Sequence, residues 1–171
     1  MNKKVSKIKD QSNNYSEEGK PLFRKGVSAL IINNKNEFLL VNLESFENHF
    51  FAIPGGGVER RETLKDAVYR ELDEELGIKQ KHLQTIGQSN NPVRFKFKVI
   101  KMNRDGIEYG GSERYFFGFR FIGSEKDITP NPREVRSCKW IKKNELKDYL
   151  LFDNQLEETL EKIKEIFPDL T

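Results

Sequence analysis

Apolar positions along this chain fall in short runs separated by turn-forming residues, and the spacing within each run predicts its element. GVSALIIN (26–33) and EFLLVNL (37–43) are nearly continuous apolar stretches around NKN, which predicts two strands joined as a hairpin. HFFAI (49–53) reads as a third short strand, stopped by Pro54 and the three glycines that follow. In 63–76, apolar residues recur at helical spacing. Thr63, with Asp66 three residues on, makes a capping-box-like start, and Gly77 suits the left-handed position after the last turn. VRFKFKVI (93–100) alternates Val93, Phe95, Phe97 and Val99 with Arg94, Lys96 and Lys98, a strand with one apolar and one basic face. The sequence NRDG (103–106) predicts a turn. ERYFFGFRFI (113–122) and EVRSCKWI (134–141) predict two more strands. DNQLEETLEKIKEIF (153–167) predicts an amphipathic helix with Asp153 as N-cap, ending before Pro168. Residues 1–20 are polar, aperiodic and rich in Lys, Asn and Ser, which predicts a flexible tail ahead of one domain spanning 21–171.

Composition narrows the picture. A length of 171 residues suits one domain with a sizeable core. Thirty basic residues nearly cancel 27 acidic ones, for a net charge of +3, without the strong basic excess of a dedicated nucleic-acid-binding domain. Cys138 is the single cysteine, so no intrachain disulfide forms; it reads as a packed small residue in a strand. No apolar stretch is long enough to span a bilayer, and the N-terminus lacks the apolar core of a signal peptide. A soluble, cytoplasmic protein that does not associate with membranes is expected.

The helix at 63–76 departs from ordinary surface design. At about 100° per residue, Leu64, Ala67, Val68, Leu72 and Leu76 form one broad arc that should face a sheet. Glu71 and Glu75 fall inside that arc and Glu74 at its margin, whereas Asp66 and Asp73 lie opposite. Like charges at these spacings each destabilise a helix by roughly 0.2–0.5 kcal/mol, and carboxylates at a helix C-terminus add about 0.3–1 kcal/mol. Desolvation raises that cost further. Clustered hard oxygens are what a divalent cation such as Mg²⁺ takes as ligands, and a bound cation would remove the conflict. The glycines ahead of the helix let bare backbone approach a phosphate or metal.

These residues fit a known pattern. Gly56, Glu62, Arg70, Glu71, Leu72, Glu74, Glu75, Gly77 and Ile78 fill, in register, the fixed positions of G-x5-E-x7-R-E-U-x-E-E-x-G-U, U being a bulky aliphatic residue. The chain thus resembles the Nudix hydrolase family. The resemblance implies an α/β fold, the Nudix α/β/α sandwich with a mixed β-sheet. It also implies hydrolysis of a nucleoside diphosphate linked to another group, with Mg²⁺ as cofactor and Mn²⁺ as an alternative. Glu71, Glu74 and Glu75 would bind metal with the Gly55 or Gly56 carbonyl. Arg70 would orient the acids, Glu62 would brace the loop, and Gly55, Gly56 and Gly77 would shape the backbone. Arg61 stands where many members have glycine.

Outside the motif, FRKGVSALI, VRFKF, ERYFF and PREVRSCKWI look most like the bacterial RNA pyrophosphohydrolase and dinucleoside polyphosphate hydrolase branch. That likeness carries over Glu134 as a further metal ligand or general base and Arg24 as a phosphate contact. Arg94, Lys96 and Tyr115 suit contact with polyphosphate, and Phe152 suits an aromatic platform for a base. Two departures are Phe95, where a tyrosine is common, and Ser45, where an arginine is expected. The expected substrates are 5′-triphosphate RNA, a dinucleoside polyphosphate or a simple (d)NTP. ADP-ribose or nucleotide-sugar cleavage, and a nucleotide sensor without catalysis, are the alternatives. The aromatic strands suit a homodimer as readily as a core.

Overall fold

The computed structural model describes residues 22–170, so the tail expected at 1–20 lies outside the described residues. Seven strands form one sheet: β1 (Leu22–Ile32), β2 (Phe38–Leu43), β3 (Gly55–Gly57), β4 (Leu83–Gln88), β5 (Val93–Met102), β6 (Glu108–Phe121) and β7 (Val135–Ile141). The strand order is β4-β6-β1-β2-β7, with β3 added on β1 and β5 on β6. β1 runs parallel to β6 over its whole length, and the remaining pairings are antiparallel, so the sheet is mixed.

β1 is central and covered on both faces, which explains its unbroken apolar run. Val27, Ala29 and Ile31 point to one face, where they meet Ala67, Val68, Leu72 and Leu76 of helix α1 (Leu64–Leu76) together with Phe117 and Phe119. Leu30 and Ile32 point to the other, where Phe116 and Ile163 and Ile166 of helix α2 (Gln155–Ile166) pack. One helix on each face of a mixed sheet is the α/β/α sandwich that the sequence resemblance implied.

Helix α1 begins as its sequence predicts. Thr63 Oγ accepts the Asp66 backbone N–H at 3.1 Å, and Gly77 closes the helix at φ 64°. A side chain at Gly77 would clash with Thr129 Oγ1 as well as being strained, so glycine is required there.

Two expectations need correction. HFFAI is not a strand: Ala52 makes only an isolated bridge to Val41, and the glycines expected to end it are themselves β3. Gly57, Gly56 and Gly55 pair with Gly26, Val27 and Ser28, the stretch of β1 that β2 leaves uncovered. Backbone pairing asks nothing of side chains, so composition could not reveal this strand. Helix α2 has Asn154 rather than Asp153 at its N-cap, in the left-handed conformation at φ 61° and without a side-chain capping bond. The two faces of β5 alternate as its sequence predicts, but beyond Val93 the apolar one is largely solvent-exposed, because β5 is the outer strand of an arm completed by the starts of β6 and β1. No helix among the described residues is long and apolar enough to cross a membrane.

Candidate active site

The inward-facing acids of α1 meet the glycine strand edge-on. A Cβ added to Gly56 would lie 2.2 Å from Glu71 Cδ, so the Glu71 carboxylate occupies the space that any other residue at 56 would fill. Glu75 is buried, at 5% exposure, and its Oε2 accepts the Gly55 N–H at 3.1 Å. Burial, reinforced by the nearby charges of Glu71 and Glu134, pushes its carboxyl up to about 8 despite the opposing Gly55 hydrogen bond. Burial also raises Glu71, although Arg70 opposes the shift. Glu74 is half-exposed at the outer margin of the group.

Arg70 organises the cluster. Its Nε donates to Glu62 Oε1 at 2.7 Å and its Nη2 to Glu62 Oε2 at 2.9 Å, a two-pronged pair that raises the guanidinium above its ordinary value and lowers Glu62. Nη1 reaches Glu71 at 2.9 Å and Glu74 at 3.1 Å, and Nη2 also donates to the Gly57 carbonyl at 2.8 Å. One side chain therefore ties together the turn before the helix, the helix and β3. Glu62 further accepts the Glu59 N–H at 2.9 Å, closing the turn in which Arg61 sits at φ 66°. That backbone is one glycine adopts without strain and arginine does not.

Glu134 is exposed in the loop before β7, close enough to raise both Glu71 and Glu75. Its carbonyl accepts the Glu44 N–H at 2.8 Å. The loop carrying Glu44 is fixed from below by the fully buried Asn42. The Asn42 amide donates to Glu47 O at 2.8 Å and Phe50 O at 2.6 Å, and its oxygen accepts Arg136 Nη1 at 2.8 Å. Phe152 lies against Phe46 and Phe50, with ring centroids 4.9 and 4.8 Å away, and is 41% exposed.

The far face of β1 and β6 carries cations. Arg24 lies over Gly57, and Arg114 donates to Ser28 Oγ at 3.3 Å. Burial lowers Arg114, while the charges of Glu75 and Glu71 act to raise it. Sequence reasoning misses Arg114 and selects its neighbour Tyr115. A signal for it exists in the chain: strand alternation sets Arg114 with Phe116 and Gly118, and a charge in step with an apolar face is the same anomaly that exposes Glu71 and Glu75.

Arg94 and Tyr115 are engaged elsewhere. Both bind the buried Glu113, Arg94 Nε at 2.7 Å and Tyr115 through its hydroxyl, on the opposite face from Arg114. Lys96 is exposed on β5.

As they stand, no three Asp, Glu, His or Cys side chains among the described residues converge on one point as a metal centre. The reason is visible: Glu71 is drawn to Arg70 and Glu75 onto the Gly55 N–H. The donors nevertheless fit a hard divalent cation, being carboxylate oxygens with a suppressed ionisation that a positive ion would restore.

Residues 22–163 match the family model described as NUDIX domain. The RNA pyrophosphohydrolase of Pelagibacter ubique is 31% identical over 153 residues, covering 84% of this chain and 92% of that protein. Among solved structures, the E. coli dihydroneopterin triphosphate pyrophosphohydrolase superposes with a TM-score of 0.64 at 15% identity, covering 86% of this chain and 99% of its own. A C. elegans Ap4A hydrolase complex superposes at 0.62 and 17% identity, covering 84% and 98%. Those likenesses speak for the fold, and the match over most of the chain, with the acid-bearing helix in register, decides the family: this protein belongs to the Nudix hydrolases, enzymes that cleave pyrophosphate bonds.

Proposed function

We propose that this Nudix pyrophosphohydrolase removes phosphate from the 5′-polyphosphate end of a nucleotide, with 5′-triphosphate RNA as its preferred substrate, using Mg²⁺ (or Mn²⁺) held by Glu71, Glu74 and Glu75. The observation that carries the reading is the buried Glu75 and the part-buried Glu71 set against β3, with Arg24 and Arg114 across the strands. The similarity to an RNA pyrophosphohydrolase over 84% of the chain supports the choice of substrate.

In this reading the Gly56 carbonyl and Glu134 complete the metal's ligands or lie beside them. A cation there supplies positive charge to phosphate oxygens and acidifies a coordinated water. The remaining work falls to the protein. Arg70 fixes the direction of Glu71, and the Gly55 N–H fixes Glu75. Glu134, exposed beside both, accepts the proton of the water that attacks phosphorus in line. Arg24 and Arg114 neutralise phosphate oxygens that gain charge as the anhydride bond breaks. Phe152, on its cluster with Phe46 and Phe50, offers an exposed ring to the terminal base.

The test is a substrate panel of 5′-triphosphate RNA, Ap4A, dNTPs and ADP-ribose, each with Mg²⁺ and with Mn²⁺, read as phosphate or pyrophosphate release. Fastest turnover is expected for the RNA. Preference for ADP-ribose would overturn the substrate, and binding without any turnover would make the protein a sensor.

A further inference from the structure

Beyond Val93, which packs against the core on the α2 side, the arm formed by β5 and the start of β6, with Leu22–Arg24 of β1 along its other side, belongs to neither core, and its composition differs from the rest of the chain. Between Val93 and Gly110 stand five basic residues, Arg94, Lys96, Lys98, Lys101 and Arg104, against Asp105 and Glu108. That excess equals the net charge of +3 of the whole protein. Glu113 takes up the Arg94 charge. Among the described residues neither Lys96 nor Lys98 is paired with a carboxylate. Phe95 is 46% exposed, and Phe97 meets it edge-on at 5.8 Å between centroids. Lys101 Nζ lies over the Phe97 ring at 4.6 Å.

The arm is continuous with the site, because β6 carries both. Arg114 is paired with Val93 and Ser112 with Phe95, so on a pleated ladder Phe95 projects from the same face as Arg114. On β6, Gly111 opposite Lys96 is about 10 Å beyond Arg114, and Tyr109 opposite Lys101 about 17 Å beyond it, at the usual strand rise. Between those two pairs the register shifts, leaving residues 97–100 of β5 bulged out opposite Gly110. A path thus leads from the acids and arginines, over the exposed Phe95 ring, to a bulge that carries Lys98 and is flanked by Lys96 and Lys101.

We propose that the outer edge of this arm is the track for the body of a single-stranded RNA whose 5′ end lies at the Nudix site: the RNA straddles the edge of β5, bases stacking on Phe95 beside the Lys101-capped Phe97, phosphates meeting Lys101 on that side and Lys96 and Lys98 across the edge. The proposal rests on the RNA reading above and extends it from the 5′ end to the following nucleotides. Alternating rings and cations are the means by which proteins hold single strands without reading sequence. The exposed Val99, Ile100 and Met102 could instead suggest strand pairing with a second copy of this chain. Charge decides between the two: such pairing would set two arms of excess positive charge together, whereas a phosphodiester chain complements them.

The experiment compares the wild type with a Phe95→Ala/Lys98→Gln/Lys101→Gln variant, all three changes lying on exposed positions. Fluorescence anisotropy measures binding of a 5′-hydroxyl octaribonucleotide over a salt series, and turnover is measured on ATP and on a 5′-triphosphate octamer. The variant is expected to bind the octamer at least tenfold more weakly. Its slope of log affinity against log salt should be shallower by about 1.4 for the two lysines lost, with ATP turnover within twofold of wild type. Equal affinity and slope in the two proteins would overturn the track. So would conversion of a wild-type dimer to a variant monomer in sedimentation, which would assign the arm to a second copy. Octamer binding that depends on the arm, without turnover of the triphosphate octamer, would sink the substrate reading and leave the RNA track standing.

Discussion

Replacing Glu75 by Gln tests whether the buried acid is there for a cation. Glu75 is 5% exposed, and its carboxyl is pushed up to about 8 from an ordinary 4.5 by burial and by Glu71 and Glu134. Between those two values the folded protein keeps a proton that the unfolded chain has released, so stability is full below pH 4.5 and declines as pH rises towards 8. At pH 7 the accumulated loss is about 3 kcal/mol, and at pH 5 less than about 1 kcal/mol. Gln carries no charge to lose and keeps an amide oxygen for the Gly55 N–H. In EDTA at pH 7 the variant should therefore melt above wild type, by roughly 6–12 °C for a chain of this size, and the gap should nearly close at pH 5. Mg²⁺ should raise the melting temperature of the wild type at pH 7 and leave the variant unmoved, while hydrolysis in the variant is lost. Thermal melts at the two pH values, with and without Mg²⁺, decide the matter. A variant that melts at or below the wild type at pH 7 in EDTA, or one that retains wild-type turnover, refutes the reasoning.

Gly56→Ala would place a methyl group where the Glu71 carboxylate now lies, so loss of at least tenfold in kcat is expected with a folded protein by circular dichroism; unchanged kcat would show that the position of Glu71 is immaterial. Arg61→Gly relieves a non-glycine residue at φ 66°, and after the added backbone entropy of glycine a net gain of about 0.5–1 kcal/mol is expected in urea unfolding. A loss of stability there would mean that the Arg61 side chain contributes more than its backbone strain costs.

The division between local and tertiary information runs through the site itself. Helix α1, its Thr63 and Gly77 caps and the inward direction of Glu71 and Glu75 follow from neighbours three and four residues apart, and all of these are legible in the sequence. So are the hairpin of β1 and β2 and the outline of helix α2, apart from its cap. What the acids face is not. The glycine strand β3 has no side chains to pattern, and it is a strand because β1 offers an uncovered edge there. The parallel pairing of β1 with β6 joins Ser28 to Phe116, residues far apart in the chain, and it brings Arg114 beside Ser28 at the acids. The alternation in β5 correctly separates two faces, yet alternation does not say whether a face is covered. That depends on the reach of helices α1 and α2, and the core they cover ends at Val93, at the base of the arm. A sequence encodes periodicity and chain reversal within a few residues; it encodes the partner of a face only through the burial that the whole fold achieves.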